Sequence, residues 1–416
     1  MTRRPALPFI LITVVIDVMG FGLLLPVMPA LVGEFTSGRD AQTYWYGAMI
    51  VTFGLTQFVC APILGALSDR YGRRPILLLS IAGLGSMFLL TALATSVQML
   101  VVLRVMGGAL AANFSVANAY VADITAPEKR ARSFGMIGAA FGIGYIVGPM
   151  VGGLLGAIDI RLPFYVAAVL SVTNLLYGWL VLPESLSPRA RAERAPLDFR
   201  RLNPIGSLYG LARLRNVGVL VAVIALASLA QFILHTTWVL YTQFRFGWGP
   251  RETGLSLFVV GLTAALVQGG LLGPLLRQFG ERRLVIAGLV SGTLAYVAYG
   301  LTTVGWLMYV FIFANLLAFA IGPALNAIVS KAADPKEQGL AMGSLSSMNS
   351  LLAAAAPLIG APLLAEASHL PAGDWRIGAP FFMSATLSLL ALMLAVAHFR
   401  RHPSKAVPHI VPVERR

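Results

Sequence analysis

The stretch Gly65-Ala-Leu-Ser-Asp-Arg-Tyr-Gly72-Arg-Arg stands between two apolar runs, and a related stretch follows 208 residues later. This second copy reads Gly273-Pro-Leu-Leu-Arg-Gln-Phe-Gly280-Glu-Arg and is again flanked by apolar runs. Pro127 and Pro335 share the same offset, as do Pro149 and Pro357. Because the offset spans six apolar runs, an even number, we predict two halves of equal orientation related by an axis along the membrane normal. Transporters that rock two six-helix bundles have this kind of repeat.

The composition indicates a membrane protein. Of the 416 residues, 57% are hydrophobic and 12% are charged, whereas a soluble domain has about 25% charged residues. We therefore predict an all-α membrane protein with twelve transmembrane helices in two six-helix bundles. A signal peptide at the N-terminus is the less favoured alternative, because the first apolar run is long and contains Asp17, Pro26 and Pro29. Hydropathy places the twelve spans at 7–31, 44–66, 76–94, 97–121, 133–156, 162–182, 217–242, 253–276, 284–303, 305–330, 339–364 and 377–398.

The distribution of basic residues predicts the orientation. With twelve spans, both chain ends and five of the loops lie on one side, and 25 of the 31 lysines and arginines fall there. The positive-inside rule places that side in the cytoplasm of an inner-membrane protein. The net charge of +14 then reflects topology and does not indicate a nucleic-acid partner. We expect an N-terminal bundle at 1–182, a linker at 183–216, a C-terminal bundle at 217–400 and a tail at 401–416.

Several motifs resemble the major facilitator superfamily. The stretch 65–75 is similar to its cytoplasmic loop signature, and the glycine-rich stretch 138–153 in span 5 is similar to its antiporter motif. Four further stretches are similar to the tetracycline-efflux branch of its drug:proton antiporters: Asp17-Val-Met-Gly-Phe-Gly-Leu-Leu-Leu-Pro-Val-Met-Pro29, Ala122-Asp-Ile-Thr125, Leu182-Pro-Glu-Ser185 and Arg245-Phe-Gly-Trp248. The resemblance implies proton-coupled drug efflux by alternating access, with a small-molecule drug, protons and the lipid bilayer as partners. It implies no cofactor, although the drug itself can carry Mg²⁺.

The loop motif predicts a gate. Its two glycines allow a sharp turn, and its charges can pair across helix ends with Asp123 at the end of span 4, through Arg70 or Arg73. The resemblance implies that this cluster holds one access state; the alternative is that the arginines only set the topology. In span 5 the glycines at 138, 142, 148 and 152 predict a flat face for close helix packing, with a bend at Pro149. The gating residues that we predict are Gly65, Asp69, Arg70, Gly72, Arg73, Arg74, Asp123, Gly148 and Pro149.

Charged residues within the hydrocarbon indicate function, because each costs several kcal/mol there. Asp17 is the only acidic residue well inside a predicted span, and Arg104 is the only basic one. An ion pair between them would stabilise both. This pair is either a structural element or the site of proton coupling, in which Asp17 alternates between a proton and the substrate or arginine.

Polar uncharged residues predict the substrate cavity less sharply, since hydrogen bonding between helices is their other common role. In span 7, Gln231, His235 and Trp238 recur at i, i+4 and i+7 and so share one helix face that suits a planar aromatic ligand. His235 is either such a ligand contact or a buried structural histidine. The substrate-binding residues that we predict are Gln57, Asn113, Asn118, Gln231, His235, Trp238 and Gln268.

The resemblance fails at three positions. The tetracycline branch is expected to have acidic residues in spans 3 and 9 and a histidine in span 8, where this chain has Met87, Gly292 and Ala264. A carrier of a metabolite or sugar is therefore the alternative to a drug exporter, followed by a receptor that does not transport. We expect no enzyme, because the sequence has no catalytic arrangement and no metal-ligand cluster.

Overall fold

The computed structural model describes residues 7–111, 113–126, 129–186, 218–332 and 338–401. All regular secondary structure in these ranges is helical. In the first half the helices are α1 (Leu7–Leu24), α2 (Met28–Gly33), α3 (Arg39–Tyr71), α4 (Arg73–Ala92), α5 (Val97–Leu110), α6 (Asn113–Ile124), α7 (Arg130–Gly156) and α8 (Leu162–Val181).

The second half is also helical. Its helices are α9 (Gly218–Phe246), α10 (Pro250–Leu266), α11 (Leu272–Leu301), α12 (Gly305–Ala314), α13 (Ile321–Ala332), α14 (Gln338–Ala367) and α15 (Ala379–Arg401). A π-helical turn, Val267–Leu271, joins α10 to α11, and 3-10 turns lie at Leu316–Ala320 and Trp375–Gly378.

These helices account for twelve spans among the described residues. Ten helical stretches are long and apolar enough to cross a membrane, and the bent pair α12 and α13 makes an eleventh. The stretch Pro250–Leu301 has 52 residues, which is far more than one crossing needs. Its backbone breaks at Gly280, with φ of 74°, so it forms spans 8 and 9. The prediction of twelve transmembrane helices is confirmed.

The two copies of the repeated motif fold alike. Gly72 and Gly280 both have a positive φ, of 109° and 74°, and each turns the chain between two consecutive spans. Glycine is the residue that adopts this conformation without strain. The repeat seen in the sequence therefore corresponds to one structural element present in both halves.

The helices end at two opposite faces of the molecule. The terminal face is the one on which α1 begins and α15 ends, and it includes the turn at Gly72. The opposite face includes the connections at 34–38, 93–96, 157–161, 247–249, 302–304 and 368–378.

The two halves touch near the opposite face and separate toward the terminal face. Along α3, a Cβ added at Gly47 would lie 2.9 Å from the Ala361 Cβ, and one at Gly54 would lie 3.4 Å from the Ala354 Cβ. A Cβ at Gly65 would meet no described atom within 4 Å. Among the described side chains, the contact between α3 and α14 therefore lies near the opposite face.

Helices α7 and α10 form the second contact between the halves and follow the same trend. A Cβ at Gly153 would lie 2.9 Å from the Gly254 Cα, near the opposite face. Toward the terminal face, an added Cβ has no described atom within 4 Å at Gly142 of α7, or at Gly269 in the π turn that follows α10. Both inter-half contacts thus close the same end of the molecule.

Span 5 packs closely through glycines, as predicted, and its partner is span 1, but only two of the four predicted glycines take part. Gly144, Gly148 and Gly152 lie against α1, where an added Cβ at Gly148 would come within 2.8 Å of the Gly22 Cα. Gly138 and Gly142, which we expected on this face, have no described atom within 4 Å of an added Cβ. They lie on the part of α7 where the structure opens, so this part of the prediction is wrong.

Candidate functional site

A cavity of about 200 Å³ lies between the two halves. Spans 1, 2 and 4 of the first half and span 7 of the second half line it. Its wall is mostly apolar and aromatic, and the polar side chains in it are Tyr46, Arg104, His235 and Thr236. The lining residues are Phe21, Leu24, Leu25, Met28, Tyr46, Met49, Ile50, Phe53, Arg104, His235 and Thr236.

Arg104 faces this cavity from α5. Its Nη2 donates to the Met28 sulfur at 3.7 Å, and its guanidinium lies 6.0 Å from the centre of the Phe53 ring. Among the described residues Arg104 has no carboxylate partner. The positive charge is therefore held by a weak acceptor and an aromatic face.

Asp17 lies in a different place, inside the first half. The Asn113 amide donates to Asp17 Oδ1 at 2.7 Å, in a small pocket that Thr13, Leu77 and Ala117 also line. Asp17 and Arg104 do not form the ion pair that we predicted. Asn113 and Arg104 are nine residues apart in span 4, about 13 Å along a helix, so the two charges lie at different depths.

A break in span 4 explains the position of Gln57. Helix α5 ends at Leu110, and Ala111 has a non-helical ψ of 62°, so its carbonyl is not aligned with those of the helix. The Gln57 amide donates to this carbonyl at 3.1 Å. Gln57 thus holds the break next to Asn113 and is absent from the lining of the cavity. Asn118 is partly buried on α6, and Gln268 is exposed in the π turn of span 8.

The face that we predicted on span 7 is divided among three environments. Gln231 Nε2 and His235 Nε2 lie 3.4 Å apart; His235 faces the cavity between the halves, and Gln231 faces a second cavity. Trp238 is 3% exposed, and its indole N–H donates to Ser256 Oγ at 3.0 Å. Trp238 is not among the described residues that line either cavity, because its ring packs in the core of the second half against Tyr299 and Phe381.

The second cavity, of about 100 Å³, lies inside the second half. Its polar lining consists of hydroxyl and amide groups, from Ser228, Gln231, Tyr296, Asn326, Asn349 and Ser388. Gly292 also lines it, at a position where an acidic residue was expected from the resemblance. This cavity can therefore offer hydrogen bonds, but none of its lining residues carries a formal charge.

A charge cluster joins four helix ends of the first half at the terminal face. Arg73 Nη2 pairs with Asp69 at 2.6 Å, and Arg73 Nε pairs with Asp123 at 3.1 Å. Arg73 Nη1 also donates to Ser68 Oγ at 2.6 Å. Of the two predicted partners of Asp123, Arg73 is the one that the structure brings into contact, whereas the Arg70 guanidinium lies 5.7 Å from the Tyr71 ring.

Glu184 completes this cluster, and we did not predict it as a site residue. Its carboxylate accepts from the backbone N–H of Arg73 at 2.9 Å and of Arg74 at 3.2 Å, at the N-terminus of α4. A carboxylate is stabilised at that position by the unpaired N–H groups and the helix dipole. The sequence signal was present, since Glu184 belongs to the stretch 182–185 that immediately follows span 6. The structure places these residues of the expected linker against the first half.

The same contact explains Gly72. Its positive φ turns the chain into α4, and a Cβ there would overlap the Glu184 carboxylate.

A sequence model of the Major Facilitator Superfamily matches residues 10–357 and 246–411 of the chain. The chain belongs to the major facilitator superfamily.

Relatives of this superfamily member include several tetracycline resistance proteins. The chain is 38% identical over 385 residues to the tetracycline resistance protein, class C, of Escherichia coli, covering 92% of this chain and 96% of that one. The class D protein of Salmonella ordonez is 34% identical over 407 residues, with coverage of 97% and 98%. The resemblance seen in the sequence is confirmed.

Solved structures of the superfamily have the same fold. The crystal structure of the human organic anion transporter MFSD10 matches with a TM-score of 0.66 and 25% identity, covering 94% of this chain and 98% of that one. The nucleoside transporter NupG matches with a TM-score of 0.75 and 14% identity, with coverage of 95% and 99%. The second likeness concerns the fold alone.

Proposed function

We propose that this superfamily member exports amphipathic aromatic drugs, tetracyclines first among them, in exchange for protons. The observation that carries the proposal is the aromatic cavity between the halves, which is closed toward the opposite face and opens toward the terminal face. The relatives named as tetracycline resistance proteins support the choice of drug. Export requires a site that both halves share and that each face reaches in turn.

The orientation that we propose places the terminal face in the cytoplasm. The basic residues concentrate on that face, and such a bias marks the cytoplasmic side. In a Cys60→Ser background, single cysteines at Ala190 and Lys405 should react with an impermeant maleimide only after the membrane is opened. A cysteine at Asp40 should react in intact cells. Labelling of all three from the same side would contradict this topology.

During alternating access, the end of the molecule at which the two halves touch would change. In the described state, α3 meets α14 and α7 meets α10 near the opposite face. In the other state, the terminal-face parts of these helices would meet. The Arg73, Asp123 and Glu184 contacts join the ends of spans 2, 3, 4 and 6, so they would let the first half move as one body.

Proton coupling is assigned to Asp17. Among the described residues it is the only carboxylate well inside a span, and Asn113 supplies one hydrogen bond to it, so the carboxyl group can alternate between two protonation states. We assigned Arg104 to the same step from the sequence. Since the two side chains lie apart, Arg104 would act from the cavity and Asp17 from within the first half.

Transport by reconstituted protein tests the coupling. Asp17→Asn should abolish tetracycline accumulation driven by an imposed proton gradient, while exchange of drug across the membrane without a gradient continues. Asp159→Asn, which neutralises an exposed acidic residue of the opposite face, should leave both activities unchanged. Uphill transport by the Asp17→Asn protein at the wild-type rate would refute the assignment.

Cells that express the chain test the substrate. Tetracycline should inhibit growth only at a concentration several-fold above that of the vector control, and an uncoupler should remove the protection. Binding of tetracycline to purified protein, with and without Mg²⁺, shows whether the drug is recognised as its metal complex. The absence of both protection and binding would refute the substrate.

A carrier of a metabolite or sugar is the second candidate. The observation that favours it is the uncharged polar cavity in the second half, whose hydroxyl and amide groups suit a polyhydroxyl ligand. Growth of a strain deficient in sugar uptake, with and without the chain, separates this candidate from drug export.

A further inference from the structure

Arg104 is unusual among the arginines of this protein because it lies deep in a span and has no anionic partner among the described residues. Helix α5 begins at Val97, so Arg104 is seven residues, or about 10 Å, into the span. An uncompensated charge at such a depth costs several kcal/mol. The Met28 sulfur and the Phe53 ring offset only part of this cost.

Three other arginines that are buried or partly buried have stronger partners. Arg73 pairs with two carboxylates, and Arg245 donates to three backbone carbonyls. Arg161 pairs with Glu34 and donates to two carbonyls. Arg104 alone of these four directs its guanidinium toward a cavity. A ligand in that cavity can supply the anionic partner that the described residues do not.

The geometry points to an anionic group as that ligand. We propose that Arg104 binds the carboxylate, enolate or similar planar anion of the exported substrate, whose aromatic body packs against Phe21 and Phe53. A guanidinium presents a planar fork of donors that matches such a group with two parallel hydrogen bonds. This inference rests on the proposed export of amphipathic drugs and makes it more specific, since it requires the drug to carry a negative charge.

The surroundings of Arg104 agree with an anion. Tyr46 lines the same cavity from span 2, and its hydroxyl can donate to a neighbouring anion. His235 and Thr236 face the same cavity from the second half. Asp17, the carboxylate to which we assign proton coupling, accepts a hydrogen bond from Asn113 in a separate pocket. None of the described residues that line the cavity is acidic, so none of them would repel an anionic ligand.

A pair of ligands that differ only in charge tests the proposal. The probes are 1-naphthoate and 1-naphthamide, which have the same ring and nearly the same shape. Their affinity for full-length purified protein in lipid nanodiscs is measured by isothermal titration calorimetry. We expect wild-type protein to bind naphthoate at least tenfold more tightly than naphthamide. Arg104→Gln should lower the naphthoate affinity at least tenfold and leave the naphthamide affinity within twofold.

Two further variants keep the test specific. Arg104→Lys keeps the charge but loses the planar fork, so its naphthoate affinity should lie between those of wild type and Arg104→Gln. Arg251→Gln removes one positive charge from an exposed position of the opposite face and should change neither affinity. Size-exclusion chromatography confirms that each variant is folded.

Each result has a defined meaning. If Arg104→Gln weakens naphthoate and naphthamide equally, Arg104 only shapes the cavity and the proposal is wrong. Equal affinity of wild-type protein for the two probes, or no binding of naphthoate, also overturns it. These measurements need no gradient and no antibiotic. A failure of proton-driven tetracycline export would therefore leave the charge selectivity of the cavity standing, and the reverse also holds.

Discussion

Arg161 and Arg245 hold equivalent helix ends in the two halves, although they lie on elements that are not equivalent. Arg161 Nη1 donates to the Ala94 carbonyl at 3.1 Å, and Arg245 Nε donates to the Thr302 carbonyl at 3.0 Å. Ala94 and Thr302 are 208 residues apart, which is the offset of the repeat. Each arginine thus caps the end of the third span of its half, where unpaired carbonyls attract a cation.

The two arginines also join the same pair of neighbouring elements. Arg161 lies between spans 5 and 6 and reaches Glu34, at the end of span 1, at 3.0 Å. Arg245 lies at the end of span 7 and reaches the backbone carbonyl of Asp374, between spans 11 and 12. The Asp374 side chain is bonded to Arg376, and these hydrogen bonds lower the pKa of Asp374 to about 2. Both halves therefore contain a link among the end of their first span, the end of their third span and the loop between their fifth and sixth spans. The arginine that makes it comes from the loop in the first half and from the end of the first span in the second half.

Removal of Arg245 should destabilise the protein more than removal of Arg161. The Arg245 residue is 3% exposed, and its loss leaves three carbonyls without a donor, whereas the Arg161 side chain is 31% exposed and water can replace it. We expect Arg245→Ala to cost about 3 kcal/mol and Arg161→Ala about 1 kcal/mol. Thermal unfolding of detergent-purified protein, followed by circular dichroism, measures the difference. Equal unfolding temperatures for the two variants would contradict it.

Two glycines of span 5 should respond to alanine in opposite directions. Gly148→Ala places a Cβ within 2.8 Å of the Gly22 Cα and the Met19 carbonyl, so α1 and α7 must move apart and the unfolding temperature should fall. Gly142→Ala meets no described atom within 4 Å, and alanine favours a helix over glycine by about 0.5–1 kcal/mol. Its unfolding temperature should stay equal or rise. A loss of stability in Gly142→Ala would show that its side of α7 is packed.

The number of spans could be predicted from the sequence, but the breaks within them could not. Hydropathy depends on the summed burial of about 20 residues and tolerates an interruption of one or two. Span 4 breaks at Ala111, three residues after Gly108, and no proline marks the position. This break is held by the Gln57 amide from another span, which is tertiary information. The positions of Asn113 and Asp17 depend on it.

The errors at the site have a related cause. Asp17 and Arg104 were paired because they are the only opposite charges inside spans, yet a count of charges carries no information on depth. Trp238 does share a helix face with His235, but helical periodicity gives only the angle around an axis. Which neighbour lies on that face changes along the span, from the cavity at His235 to the core of the second half at Trp238.

Gly72→Ala should damage the terminal-face cluster, whereas Gly65→Ala should not. Gly72 has φ of 109°, a conformation that L-residues rarely adopt, and its Cβ would overlap the Glu184 carboxylate. Gly65 is helical, and an added Cβ there would meet no described atom within 4 Å. We expect Gly72→Ala to lower both the folded yield and the transport rate several-fold.

The double variant Gly72→Ala, Glu184→Ala identifies the cause of the damage. It removes the overlap and keeps the backbone strain, but it also loses the Glu184 hydrogen bonds to the N-terminus of α4. The single variant Glu184→Ala is therefore the reference, and the stability cost of Gly72→Ala should be smaller in that background than in the wild-type protein by the cost of the overlap. Wild-type behaviour of Gly72→Ala would show that the turn at this position differs from the one described.

Trp238 should contribute to stability and not to drug binding. Its ring centre lies 5.5 Å from that of Tyr299 and 6.2 Å from that of Phe381, both in edge-on contact, and its N–H is bonded to Ser256. Trp238→Ala should lower the free energy of unfolding by about 3–5 kcal/mol, because it opens a cavity in this core. Trp238→Phe keeps most of the ring contacts but loses the hydrogen bond and leaves the Ser256 hydroxyl without its donor, at a cost of about 1–2 kcal/mol.

The exposed Trp179, at 62%, provides the control, and Trp179→Ala should have little effect on unfolding. Equilibrium binding of tetracycline to the folded fraction of Trp238→Phe should match wild type within about a factor of two, which is below 0.5 kcal/mol. The opposite pattern, with stability unchanged and binding lost, would return Trp238 to the cavity wall and would mean that span 7 rotates between the described state and the one that binds the drug.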